Sequence, residues 1–139
     1  MENAATLNIN LNRTDNDGST GFHLACLSDH SNVVKAVINS EISNQIKEKQ
    51  QLTPSSIILE SALRIDLNRK DNDGDTAFHY ICQTGNSELV NIFMENAVDL
   101  SIDFNIRNND GMTAFHIVCD RGISDAVKII MGKCSNFEH

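Results

Sequence analysis

One block of twelve residues recurs three times along the chain, and that recurrence constrains the fold more than any single motif does. Asp15 to Cys26 reads D-N-D-G-S-T-G-F-H-L-A-C, Asp71 to Cys82 reads D-N-D-G-D-T-A-F-H-Y-I-C, and Asn108 to Cys119 reads N-N-D-G-M-T-A-F-H-I-V-C. A short unit of this size cannot bury its own apolar face. Copies in register therefore predict units stacked around one continuous core.

The residues around each block define the unit. Ile9-Asn10-Leu11-Asn12, Ile65-Asp66-Leu67-Asn68 and Ile102-Asp103-Phe104-Asn105 precede the blocks, and their alternation reads as an extended arm entering a hairpin-like turn. Gly18, Gly74 and Gly111 each follow an aspartate, a turn signal because glycine takes positive φ without steric cost. Thr20, Thr76 and Thr113 are placed to cap short helices expected over 21–28, 77–84 and 114–121. Asp29, Gly85 and Gly122 stand where those helices should stop. A second helix is expected after Ser31, Ser87 and Ser124, with apolar residues at helical spacing: Val33, Val34, Val37 and Ile38, then Leu89, Val90 and Phe93, then Ala126, Val127, Ile130 and Met131. The unit is turn, short helix, turn, helix. The fold class is an all-α repeat solenoid with hairpin-like turns joining its units.

Spacing leaves one region open. Gly74 and Gly111 are 37 residues apart, about four more than the roughly 33 of such a unit, and the excess falls in Ala97 to Ile102. Gly18 and Gly74 are 56 apart, too far for one unit and too near for two. Either a degenerate unit has lost about one helix, or the first unit carries an insertion from Ser40 to Leu52. The reading favoured here is a shortened unit whose main helix is Pro54 to Leu63, because proline suits a first helical turn.

The pattern D-x-x-G-x-T-x-φ-H-x-φ-[AC], followed by a turn and an amphipathic helix, resembles the ankyrin repeat. Thr20-Gly21-Phe22-His23, Thr76-Ala77-Phe78-His79 and Thr113-Ala114-Phe115-His116 match the family's T-P-L-H core, with proline absent and phenylalanine in place of leucine. The resemblance implies a single domain over 1–139 with clear repeats at about 9–40, 65–96 and 102–133 and a degenerate one at 41–64. It also implies that His23, His79 and His116 support turn hydrogen bonds. The expected core is Phe22, Phe78 and Phe115 with Ala25, Cys26, Ile81, Cys82, Val118 and Cys119, joined by Val34, Val37, Val90, Phe93, Val127 and Ile130.

The residues that suggest chemistry fit the scaffold better. The F-H-x-x-C spacing repeats because the unit repeats, whereas one zinc site needs four converging ligands. With glycine at position six of a calcium loop, positions one and twelve fall on Arg69 and Tyr80, Arg13 and Leu24, or Ile106 and Ile117, so no copy supplies the terminal acids. Phosphate-binding, nucleophile-elbow and zinc-protease motifs are absent. No catalytic residue, metal site or cofactor is expected, and the chain reads as a non-enzyme.

Eleven basic against nineteen acidic residues give a net charge of −8. That disfavours nucleic acid and anionic lipid and suits a protein partner with a basic segment. No apolar run approaches a membrane span and no signal peptide is visible. Four cysteines without a C-x-x-C pair suit a reduced compartment, cytoplasmic or nuclear.

Resemblance to ankyrin arrays implies a protein-binding scaffold, an adaptor or inhibitor, that uses a concave face formed by the turn tips and the exposed positions of the inner helices. An NF-κB-inhibitor-like or viral-mimic role is one option in that class. The candidate contact residues are the ones that vary between copies: Asp17, Ser19, Leu24 and Leu27; Asp73, Asp75, Tyr80 and Gln83; Met112, Ile117, Asp120 and Arg121. Tyr80 and Arg121 are the expected anchors, since both types are enriched among residues that dominate binding energy. The alternative is a section of a longer array or a module that self-associates through the last helix, Ser124 to Cys134, which is apolar on several sides.

Overall fold

A computed structural model describes residues 10–50 and 65–136. Among them lie seven helices and no strand: α1 Gly21–Leu27, α2 Ser31–Gln50, α3 Ala77–Thr84, α4 Ser87–Glu95, α5 Ala97–Leu100, α6 Ala114–Arg121 and α7 Ser124–Asn136. The short helices α1, α3 and α6 follow the three copies of the block. They stack in that order, α1 on α3 and α3 on α6, while α2, α4 and α7 lie behind them and α4 packs broadly on α7. The result is the all-α repeat stack that the sequence predicts.

Each short helix starts where its threonine dictates. Thr20, Thr76 and Thr113 have extended backbone, and their hydroxyls accept the N–H of the residue three positions on, as capping residues do. That residue is the block histidine, and its ring completes a reciprocal box: the Thr20 N–H donates to His23 Nδ1 at 3.0 Å, with the same contact in the other two copies. Because Nδ1 accepts, the ring proton resides on Nε2. His23 Nε2 then donates to the Arg69 carbonyl at 2.8 Å and His79 Nε2 to the Met112 carbonyl at 3.0 Å, tying each unit to the next. The second helices begin at Ser31, Ser87 and Ser124 themselves, one residue earlier than expected; Asn86, not Ser87, caps α4 through the Leu89 N–H.

Three local expectations change. The residues before each block form a turn in place of an extended arm. Asn10, Asp66 and Asp103 accept the backbone N–H two residues on with their side chains, at 2.9, 3.1 and 2.9 Å, so a side-chain turn overrides the period-two pattern. The first unit's outer helix does not stop near Ser40 but continues to Gln50. On it the buried Glu41 accepts the Ile65 N–H at 3.0 Å, which fixes the point where the chain re-enters the stack. The helix expected over Pro54 to Leu63 lies outside the described residues. The extra length at Ala97 to Ile102 forms α5, whose Leu100 is buried and which touches both α2 and α4.

The core follows the block. Phe93 of α4 stacks with Phe22 and Phe78, at centroid distances of 6.1 and 5.5 Å, and Phe104 meets Phe78 edge-on at 4.8 Å. Ala25, Cys26, Val34, Ile81, Cys82, Val90 and Val118 are buried as expected, while Val37, Val127 and Ile130 are half-buried. Phe115 and Cys119 depart from expectation and are exposed. In the first two units the equivalent Phe22 and Phe78 meet Phe93 and Phe104 of the unit that follows, and Cys26 and Cys82 are buried; among the described residues nothing follows the last unit in that way.

Candidate partner-binding surface

The turn tips are built by their first residue. Asp15 Oδ1 accepts the N–H of Asp17 and Ser19, Asp71 Oδ1 those of Asp73 and Asp75, and Asn108 Oδ1 those of Asp110 and Met112, all at 2.9 or 3.0 Å. A backbone bond from Asp15, Asp71 and Asn108 N–H to the carbonyls of Ser19, Asp75 and Met112 closes each loop at 2.9 Å. Neighbouring tips are then joined. The Asn72 N–H donates to the Asp17 carbonyl and the Asn109 N–H to the Asp73 carbonyl, at 3.0 and 2.9 Å, while the two asparagine amides reach Asn16 and Asn72 carbonyls. Approach is so close that glycine is required at Gly18 and Gly74: φ is +76 and +81, and an added Cβ would lie 2.4 and 2.6 Å from an asparagine oxygen of the next tip.

This ladder holds Asp17, Asp73 and Asp110 in a row with their side chains exposed. Beside the row, the last turns of the short helices present Leu27 and Ser28, Thr84, and Asp120 and Arg121 to solvent, with Gln83 half-buried. Of the twelve expected contact residues, Asp17, Leu24, Leu27, Asp73, Gln83, Asp120 and Arg121 remain available.

Others of the twelve are not at the surface. Ser19, Asp75, Tyr80 and Ile117 are buried, and Met112 is half-buried. The Tyr80 ring meets His23 of the preceding unit edge-on at 6.0 Å, its hydroxyl donates to Asp71 Oδ2, and Ile117 is buried on α6 where that helix packs on α3. Burial and the adjacent Asp71 carboxylate hold the Tyr80 phenol well above its usual range. Tyr80 is a stacking residue, not an exposed anchor. The signal was available: Leu24, Tyr80 and Ile117 are all apolar or aromatic at one repeat position, which marks packing, not recognition. Asp75 lies under the next tip, where its carboxylate accepts from Asn108 Nδ2 at 2.9 Å; burial, first of all, raises its pKa above 3.8.

Asp71, Asp73 and Asp75 place carboxylate oxygens within 4.8 Å of one another, the spacing of a cation site. Asp71 already accepts two backbone N–H groups and the Tyr80 hydroxyl, and Asp75 accepts Asn108, so these acids serve the turn. Cys26, Cys82 and Cys119 are free thiols; burial pushes Cys82 up to about 12 and Cys26 in the same direction, which leaves both as packing atoms, not nucleophiles. Among the described residues no helix is long and apolar enough to cross a membrane.

A family model described as Ankyrin repeats (3 copies) matches residues 55–138, more than half of the chain. The match begins after the first unit, which has the same tip and capping box as the other two.

Proposed function

Because the chain belongs to the ankyrin repeat family, whose arrays generally mediate protein–protein interaction, we propose that it is a non-enzymatic scaffold that holds a basic segment of a partner protein along its tip row, as an adaptor or inhibitor. The observation that carries this reading is the ladder that fixes the exposed carboxylates of Asp17, Asp73 and Asp110 at one per unit. Pre-organised like charges in a row attract a cationic segment without first having to be ordered. Asp120 extends the acidic surface, and Arg121 and Leu27 at the ends of the short helices supply contacts of other chemistry. Three unpaired thiols suit an intracellular, reducing setting, cytoplasmic or nuclear.

The test is a binding titration with a lysine- and arginine-rich peptide, comparing the native chain with Asp17→Asn/Asp73→Asn/Asp110→Asn. Removing three charges is expected to weaken binding by about ten-fold or more at low salt, with the difference shrinking as salt screens it. Equal affinity of the two proteins at low salt would overturn the reading.

A second reading, a module that stacks end to end on further units, is supported by one observation: of the large exposed apolar side chains, all but Val98 of α5 belong to the first unit (Leu11, Leu24, Leu27, Val33) or the last (Phe115, Met131).

A further inference from the structure

Among the described residues the interface between units occurs twice, and its two halves recur without a counterpart at the two ends of the described stack. The forward half of each internal unit is formed by a block phenylalanine and cysteine and by a residue of the outer helix. In the first two units these are Phe22, Cys26 and Ile38, and Phe78, Cys82 and Met94, and all six are buried. In the last unit the same positions are Phe115 at 40% exposure, Cys119, also exposed, and Met131 at 57%. The backward half shows the converse. Tyr80 and Ile117, and Leu89 and Ala126, are buried on helices α3, α6, α4 and α7, which pack on α1, α3, α2 and α4 of the unit before. Their first-unit equivalents, Leu24 and Val33, are 46% and 51% exposed.

Hydrogen-bonding groups follow the same rule. The Asn72 and Asn109 N–H groups each donate to an aspartate carbonyl of the tip before, and Asn16 holds that position in the first unit. Asn12 and Asn68 accept the Asp66 and Asp103 N–H groups at 2.8 Å. Asn105 is the same residue in the last unit, and Asn10 is the matching donor in the first. An added Cβ at Gly18 or Gly74 would strike the next tip, whereas at Gly111 it meets nothing within 4 Å. Among the described residues the rear surface of the last unit thus has no neighbour of the kind that the front of the first unit could supply.

On the second of the two readings above, we infer that the occupant is a second copy of this chain, docked head to tail. The front of one copy continues on the rear of another the interface already formed between units. In that register Leu11 of the incoming copy falls on Phe115 as Phe104 falls on Phe78, Leu24 meets His116 as Tyr80 meets His23, and the Asn16 N–H donates to the Asp110 carbonyl. The contact uses different surfaces on its two sides, so it does not close on itself as a two-fold dimer and growth beyond two copies is allowed. Each copy carries −8, so association strengthens as salt screens the repulsion, opposite in sign to capture of a basic segment.

Sedimentation velocity over a range of concentrations tests this with the native chain, a front variant (Leu24→Asp/Val33→Asp) and a rear variant (Phe115→Asp/Met131→Asp). The native chain is expected to gain mass with concentration past the dimer, and each variant alone to be at least ~100-fold weaker, because an unpaired charge would be buried. An equimolar mixture of the two variants should restore a single species of two chains and nothing larger. A native chain that stays monomeric throughout, a variant that associates as the native chain does, or a mixture that stays monomeric would each overturn the inference. The native measurement stands even where a variant fails to fold. Asp73→Asn, which removes a charge from the internal tip and touches neither end, should weaken tip binding and leave self-association intact, so failure here and failure of tip binding are read separately.

Discussion

Asp75 shows at the scale of one residue how position in the stack decides what a side chain does. Ser19 and Met112, its equivalents in the other copies, are neutral, and Asp75 alone brings a carboxylate under the next tip. Burial raises its pKa, with Asp71 and Asp73 adding to the rise and the Asn108 hydrogen bond and His79 opposing it. A carboxyl whose folded pKa is raised favours the fold while it is protonated, and that contribution disappears as pH rises from the unfolded value near 3.8 through the folded one. Asp75→Asn keeps the acceptor for Asn108 and removes the charge. It should therefore raise the denaturation midpoint at pH 7, with a gain that shrinks as pH falls toward 4; denaturant curves across that range check it. A midpoint lowered at pH 7 would show that the charge is stabilising. Sequence reasoning took Asp75 and Tyr80 for recognition residues because they vary between copies. Variation alone does not separate a position facing solvent from one facing a neighbouring unit with its own variations.

At the scale of elements, the inner helices were legible nearly to the residue, because threonine and histidine three apart dictate where each one starts. The capping boxes at His79 and His116 are alike, but only His79 also reaches a carbonyl of a following unit. His79→Ala should cost roughly 2–4 kcal/mol, since it leaves the Thr76 N–H unpaired in a buried place and removes the bond that ties the second unit to the Met112 carbonyl of the third. His116→Ala should cost about 1 kcal/mol, the worth of a cap near solvent. Equal losses in urea denaturation would mean that the bond between units contributes little. What composition and periodicity did not reveal were the continuation of α2 to Gln50, since no breaker residue marks its passage through Ser40, and the turn at Asp66, where a side-chain oxygen outcompetes an alternating pattern. The four surplus residues after Asn96 were visible as a count, but only the fold shows them as α5, seating Leu100 in the core.

At the scale of the whole molecule, the array separates two kinds of surface. The tip row is charged, exposed and braced by the ladder from Asn16 to Asn109; the two ends are apolar and repeat the internal interface. The repeat made the first surface foreseeable, since the aspartates were in the block. The ends were harder to see, because a phenylalanine or cysteine in the last copy reads as core until its missing neighbour is known. The central claim, that the tips carry recognition, is tested most directly by following backbone amide resonances while a lysine- and arginine-rich peptide is added. The account predicts shifts centred on residues 16–18, 72–74 and 109–111 and on the ends of α1, α3 and α6. Shifts confined to the outer helices α2, α4 and α7, with the tips unmoved, would contradict it.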